Sequence, residues 1–552
     1  LETESQLPHS PEPSHRRRPT RRAFLQGAIG AGLLSLTALG GLVSCSALSK
    51  MPVGPPSPVP SPVRPTPTPA PARAAPPTVP AAPTATFAPA TPQADPTPRA
   101  VTATPIARSA SPVPPNVILV TIDTLRADRL GIYGFAQAHT PTLDQIARDG
   151  VRFDRAICQL PQTNPSHASL MTGLYASTTG VKIHMVDKLK DGAQTLASVF
   201  AGAGYQTAGI YSWVSLDPQF LGLNQGFQTY EGYVLNRGTV FGNPTLEQLA
   251  ATYRQLKSQV PIVKTADAVL GASDDFENTL DGRADVTNAA VLAWLDAHAA
   301  NGPFFLWVHY YDPHYPYAPP AGYDHLLGLN YSGTIDGSVD TIHELTSDKL
   351  TPSPADLARL EELYQGEIAF TDAQLGKLVG YLNDHHLLDD TVLAVTGDHG
   401  ESFGEHGDWT HGLKVYESEI RVPLLLRYPR RLPAGTSVAS PVQLIDVMPT
   451  LLDLTSLRAE KDVQGKTLLP LIGGTTDPNR AAFTELADES FVSVLTTDDW
   501  KLIRNDANDE LQLYRLDADE DEQQNLVKDE PQITADLHAH LLDLMKVSGA
   551  SK

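Results

Sequence analysis

Cysteine is nearly absent: the 552 residues hold two, Cys45 and Cys158. Two thiols cannot build a disulfide framework, and only one remains if Cys45 is modified, as its neighbours imply below. Cys158 reads as a small buried residue. Basic charge is also short, with 41 Lys/Arg against 63 Asp/Glu, and the deficit is uneven. Residues 1–115 carry ten basic and four acidic side chains, whereas residues 116–552 carry 31 and 59. So acidic a body favours solubility and argues against nucleic acid or an anionic membrane face as partner. Long apolar runs are missing too. The stretch 27–43 is short and rich in Gly, Ala and Leu, which suits a signal core better than a spanning helix.

What is present at the N-terminal end is a set of targeting features. Thr20-Arg21-Arg22-Ala23-Phe24-Leu25 reads as a twin-arginine export signal. The apolar stretch after it ends in Leu42-Val43-Ser44-Cys45, which resembles a bacterial lipobox. Cleavage before Cys45 and acylation of its thiol would follow, anchoring the chain to a membrane. Residues 51–115 then hold 22 of the 47 prolines and one acidic residue, Asp95. Such a segment cannot bury a core and reads as an extended spacer, reaching about 200 Å at full stretch. The expected division is a signal over 1–45, a Pro-rich stalk over 46–115, a catalytic domain over 116–475 and a C-terminal subdomain over 476–552.

The body begins at Asn116. Val117-Ile118-Leu119-Val120 is a continuous apolar run leading to Asp123, as a central parallel strand requires. Strands are expected over 207–211, 304–310, 391–396 and 422–427, and helices over 143–148, 196–203 and 357–383. This alternation indicates an α/β sandwich with a mostly parallel sheet. Ligands on such sheets bind past the carboxyl ends of strands, where Asp123, Asp312 and Asp398 stand. Short strands over 483–485, 492–496, 500–504 and 511–516 and a helix over 533–545 predict a small antiparallel sheet closed by a helix. Residues 231–290 and 325–355 have weak patterning and read as insertions near the active face.

Three segments carry the chemistry. The first runs from Asn116 through Asp123-Thr124 to Arg126 and Asp128. The second is Thr163-Asn164-Pro165-Ser166-His167-Ala168-Ser169-Leu170-Met171-Thr172-Gly173. The third is Gly397-Asp398-His399-Gly400-Glu401, continuing to Glu405-His406-Gly407 and Thr410-His411-Gly412. Together with Arg421-Val422-Pro423 and Asp446, they resemble the sulfatase family of the alkaline-phosphatase superfamily over nearly all of 116–550. The resemblance implies an alkaline-phosphatase-like fold and a metal-dependent ester hydrolase. In that family the turn normally begins C/S-x-P-x-R, and its first residue is oxidised to formylglycine. Here it reads Thr-Asn-Pro-Ser-His. Threonine is not a known precursor of formylglycine, so an unmodified Thr163 alkoxide is the implied nucleophile.

The departures shape the expected site. Asp123, Thr163, Asp398 and His399 make an O/O/O/N ligand set, which suits Zn²⁺ or Mn²⁺ better than Ca²⁺, with one ion or two. Metal coordination is what renders a threonine hydroxyl competent. Asp312, His314 and His411 are candidates either for a second metal or for proton donation around the leaving oxygen. His309 reads equally well as a core histidine. His167 replaces the family's arginine, to steady the Thr163 oxygen region or cap the helix. Lys182 and His184 fall where the family contacts substrate. Arg126 either serves charge near Asp123 or pairs with Asp128, and Glu405 and His406 are supporting groups. The expected reaction is in-line displacement by Thr163 on a phosphate or phosphonate ester, small-molecule or glycan/lipid. The alternatives are sulfate-ester hydrolysis, headgroup transfer and non-catalytic surface binding.

Overall fold

A nine-stranded sheet frames the molecule. In the computed structural model it contains β1 (Asn116–Ile122), β2 (Val151–Ile157), β3 (Gln206–Tyr211), β4 (Thr229–Gly232), β5 (Phe304–Tyr310) and β6 (Thr391–Gly397). A two-stranded ribbon follows, β7 (Ser402–Phe403) with β8 (Trp409–Thr410); then β9 (Arg421–Arg427), β10 (Thr436–Val438) and β11 (Val442–Gln443) complete the sheet. The order is β10-β2-β9-β6-β1-β5-β3-β4, with β11 also on β2. Residues 114–232, 283–487 and 490–550 are described. The export signal, Cys45, the spacer and most of 231–290 lie outside them.

The three central strands β6, β1 and β5 are buried along their whole length. Each is covered on both faces, which is why they read as unbroken apolar runs rather than alternating ones. One apolar cluster holds Val117, Leu119, Phe305, Trp307 and Ala394. The opposite cluster holds Ile118, Val120, Leu306, Val308 and Val395. Period-two alternation thus sends successive residues of one strand into two different cores. The long helix Pro354–Asp384 packs on the second cluster through Leu360, Leu363, Tyr364, Leu375 and Leu378. Its start is fixed by a capping box: Ser353 Oγ accepts the Asp356 N–H while the Asp356 carboxylate accepts the Ser353 N–H.

The sheet is mostly parallel, as expected, and three features go beyond the sequence reading. β9 runs antiparallel to β6 and to β2, the one reversed strand in an otherwise parallel set. β2 was not expected at all, because Arg152, Asp154 and Arg155 interrupt its apolar pattern near the sheet edge. The described part of the presumed insertions is regular: helix Ala284–His298 buries Val291 and Leu295, and helix Val339–Thr346 buries Val339, Ile342 and Leu345.

The C-terminal portion matches the expected style. β12 (Ala481–Glu485), β13 (Phe491–Thr496), β14 (Trp500–Asn505) and β15 (Glu510–Arg515) form an antiparallel sheet, and helix Pro531–Ser548 packs on it. Buried Lys501 on β14 lies 2.8 Å from Glu417, just ahead of β9, and 2.8 Å from Glu522. This ion triad joins the small sheet to the main one.

Candidate active site

The carboxyl ends of β1 and β6 lie side by side, since Ile122 pairs with Gly397. The next residues, Asp123 and Asp398, therefore meet. Thr124, at φ 51°, turns the chain so that its N–H donates to Asp398 Oδ1 at 3.1 Å. The His399 N–H donates to the same oxygen at 2.9 Å. Asp398 Oδ2 and both oxygens of Asp123 are left buried without a hydrogen-bond partner.

Thr163 enters from the other side as the first residue of helix Thr163–Thr172, every residue of which is buried. Gly173, at φ 68°, ends that helix. Ser166 Oγ donates to the Asp398 carbonyl at 2.6 Å and fastens the helix to the β6 loop. His399 Nδ1–H donates to the Gly400 carbonyl at 3.0 Å, so Nε2 presents a lone pair. Around that nitrogen stand Thr163 Oγ1 at 3.4 Å, Asp398 Oδ2 at 3.5 Å and Asp123 Oδ1 at 3.6 Å. These separations are long for hydrogen bonds. They match the edge of a tetrahedron with metal–ligand bonds near 2.1 Å, which is about 3.4 Å.

The unpartnered carboxylate oxygens therefore fit a divalent cation held by Asp123, Asp398, His399 and Thr163. The electrostatics agree. Burial raises the Asp123 carboxyl to about 7, and burial with the Asp123 charge raises Asp398. A cation reverses both shifts by favouring the anions.

The remaining histidines divide into two tiers. His411 and His314 are the less deeply buried, His314 being 7% exposed. His411 Nδ1 is 3.0 Å from buried Glu401 Oε1, and its ring is 4.3 Å from that of His399 and 5.0 Å from that of His314. His314 Nδ1–H donates to the Tyr315 carbonyl at 2.6 Å, leaving Nε2 free. Burial pushes both imidazoles well below their usual range, and burial raises Glu401 to about 8. The Glu401–His411 pair thus keeps one proton near neutrality. His184 Nδ1 accepts the Asn164 N–H at 3.4 Å, at the start of the Thr163 helix. That places His184 beside the Thr163 turn. The Lys182 backbone N–H donates to the Asp187 carboxylate at 3.2 Å.

His167 and His309 form the deeper tier and are fully buried. His167 lies between the Thr163 carbonyl at 2.8 Å and Thr121 Oγ1 at 3.0 Å, so it braces the first helical turn from within. His309 Nε2 is 3.4 Å from Asp123 Oδ2, which makes it a site residue rather than a core filler. Burial depresses both rings to about 4.

Two expected ligands or contacts have other work. Asp312 Oδ2 accepts the Ala284 N–H at 2.8 Å, capping helix Ala284–His298, and it joins no group of potential metal ligands among the described residues. Its strand-end position was right, but its carboxylate points at a helix start. Arg126 is 6 % exposed and committed within the fold: it binds Asp128 through two bonds, the Glu401 carbonyl at 2.8 Å and Glu405 at 2.7 Å. It clamps the β1 loop to the β6 loop with four of its five N–H donors. Glu401 stood in the third motif without an assigned role. The signal was there, an acid two residues past His399 and ten before His411.

Comparison with known proteins agrees with this geometry. A family model described as sulfatase matches residues 115–457, and one described as N-sulphoglucosamine sulphohydrolase, C-terminal, matches residues 404–547. The uncharacterized sulfatase YidJ of Escherichia coli is 26% identical over 445 residues, covering 78% of this chain and 87% of that one. The arylsulfatase of Clostridium perfringens is 27% identical over 379 residues, covering 65% and 78%. Among solved structures, the phosphonate monoester hydrolase of Agrobacterium radiobacter superposes with TM-score 0.59 at 23% identity, covering 79% of this chain and 96% of that one. A protein solved in complex with its substrate D-glucosamine-2-N,6-O-disulfate gives 0.62 at 20%, covering 79% and 98%. Strand-end aspartates, the buried helix opened by Thr163 and the family match converge: the chain belongs to the sulfatase family and is an ester hydrolase of that family.

Proposed function

We propose that this hydrolase acts through Thr163 on a phosphate or phosphonate ester, with Zn²⁺ or Mn²⁺ at Asp123, Thr163, Asp398 and His399. The observation that carries the reading is an unmodifiable threonine hydroxyl 3.4 Å from His399 Nε2, among unpartnered carboxylate oxygens. One imidazole with carboxylates suits Zn²⁺ or Mn²⁺ better than Ca²⁺. When bound, the cation supplies the positive charge that acidifies the Thr163 hydroxyl and neutralises non-bridging oxygens.

The residues then have distinct tasks. Thr163, its hydroxyl proton released to water, attacks phosphorus in line through Oγ1, and the bond to the leaving oxygen breaks. His411, oriented by Glu401, protonates that oxygen, with His314 beside it. Water then cleaves the threonine ester, and the same imidazole receives its proton. His184 lines the approach next to Asn164.

A neighbour of similar fold that hydrolyses phosphonate monoesters supports the substrate class, and relatives named as sulfatases support the sulfate alternative. Parallel assays with 4-nitrophenyl phenylphosphonate, phosphate and sulfate decide between them. The phosphonate or phosphate should exceed the sulfate in kcat/KM by at least tenfold; the reverse order refutes the proposal. Acceleration by added glycan or lipid acceptors would indicate transfer instead. Anchoring through Cys45 belongs to the same proposal, and detergent partitioning of the cell-expressed chain, lost in Cys45→Ala, tests it.

A further inference from the structure

His411 stands on a loop whose backbone needs outside support. Thr410, before it, has φ 64°, and Gly412, after it, has φ 78°. Positive φ is rare for a β-branched residue such as threonine, and it persists where the surroundings over-determine it. Gly412 lies tight against Gln162: a Cβ there would come within 2.6 Å of Gln162 Nε2. A further hold comes from Glu419, in the short helix Glu417–Ile420, which is 1% exposed. Its Oε2 accepts the N–H groups of Leu413 at 3.1 Å and Lys414 at 3.2 Å.

The same residue reaches the other side of the site through a different group. Its backbone carbonyl accepts the Gly400 N–H at 2.8 Å, one residue past His399. The neighbouring Ser418 carbonyl accepts the Glu401 N–H at 2.9 Å. Backbone thus holds the loop of His399 and Glu401, while a side chain holds the loop of His411. The two loops meet where His411 Nδ1 lies 3.0 Å from Glu401 Oε1. A slip of about 1 Å there is enough to break that hydrogen bond and to misplace the imidazole for proton transfer. Burial raises the Glu419 carboxyl to about 8, against the pull of the Lys414 and Leu413 N–H groups. Protonated or not, Oε2 keeps lone pairs for both amides, and Oε1 lies 3.5 Å from Ser402 Oγ.

We infer that Glu419 is a positioning residue: its carboxyl group fixes the His411 loop against the loop of His399 and Glu401, so that the imidazole meets the leaving oxygen. It touches no substrate atom itself. The inference rests on the reading of His411 as proton donor. Action through His411 leaves a specific mark on the kinetics. A basic leaving group has to be protonated as it departs, whereas 4-nitrophenolate departs largely unaided. Loss of the clamp should therefore hurt more as the leaving group becomes more basic. Metal content should not change, because the bond to Gly400 uses the backbone.

The test compares the full chain with Glu419→Ala, Glu419→Gln and His411→Ala on 4-nitrophenyl and phenyl phenylphosphonate, or on the two sulfates where sulfate is the faster class. Bound metal is measured in each. Glu419→Ala should lose about threefold or less in kcat on the nitrophenyl ester and about thirtyfold or more on the phenyl ester, in the direction of His411→Ala. Glu419→Gln, whose amide oxygen can accept the same N–H groups, should stay within about threefold of wild type on both. Should Glu419→Ala not fold, Glu419→Asp, one methylene short of the loop, takes its place and should show the same split. Equal losses on the two esters, an unchanged kcat or a loss of bound metal would overturn the role of Glu419 while His411→Ala still showed the split. Equal losses in His411→Ala would instead overturn the proton-donor reading, and the inference with it.

Discussion

A threonine hydroxyl is a poor nucleophile, and in the proposed mechanism the surroundings of Thr163 offset that weakness. It opens a buried helix, faces His399 Nε2 and stands by two carboxylates with free oxygens. Thr163→Ala should therefore lower kcat by at least about a thousandfold while Thr163→Ser keeps a measurable share, because a methyl group can neither coordinate nor attack. Glu401 is the complementary case. Its hydrogen bond orients His411, and its burial keeps a proton on the pair. Glu401→Gln should leave metal content unchanged, reduce kcat on the order of tenfold to a hundredfold, and displace the pH limb assigned to the proton donor. An unchanged pH profile would remove Glu401 from the mechanism. Sequence motifs name Asp123, Thr163, Asp398 and His399 because strand-end aspartates and a nucleophile turn are local patterns. His309 was left open between site and core, and Glu401 without a role, because their contacts arise only when β5 and β6 are laid on either side of β1.

At the scale of elements, Asp312 carries the sharpest consequence. Helix Ala284–His298 has no side-chain cap from its own preceding residue, and the acceptor comes from the end of β5 instead. Burial raises the Asp312 carboxyl to about 6 from an unfolded value of 3.8. A raised acid binds more protons in the native state. Its stability contribution is therefore full below about pH 4 and is lost as pH rises through about 6. Asp312→Asn should flatten the pH dependence of stability in that window, by roughly 2–3 kcal/mol at most. Asp312→Ala should cost about 1 kcal/mol of cap at pH 5, where the wild-type acid is largely neutral. Chemical denaturation across pH 4–7 checks both, and neither should lose bound metal. The same strands show what patterning conveys. β1, β5 and β6 are legible because both faces are buried. The reversal of β9 is not, since burial on both faces looks the same in either direction. β2 hides because Arg152, Asp154 and Arg155 serve surface ion pairs and a bulge separates Phe153 from Ala156.

For the whole molecule, the question is how the small C-terminal sheet stays on the catalytic sheet. Lys501 is 0% exposed and compensates Glu417 and Glu522. Removing one partner of such a cluster leaves buried, uncompensated charge. Lys501→Met should destabilise the chain by about 3–5 kcal/mol in urea melts, far more than an exposed lysine would. A loss below 1 kcal/mol would mean that the triad is wetter than its burial indicates. The change in architecture beyond residue 475 was readable from short alternating strands, but this attachment was not, because its three charges are dispersed over 417–522. The account as a whole stands or falls with Thr163. Turnover of a slow phosphonate ester, quenched in acid and followed by peptide mass spectrometry, tests that most directly. The account predicts a phosphonyl mass addition on Thr163 that disappears in Thr163→Ala together with turnover. An unmodified Thr163, with Thr163→Ala still turning over at near wild-type rate, would contradict it.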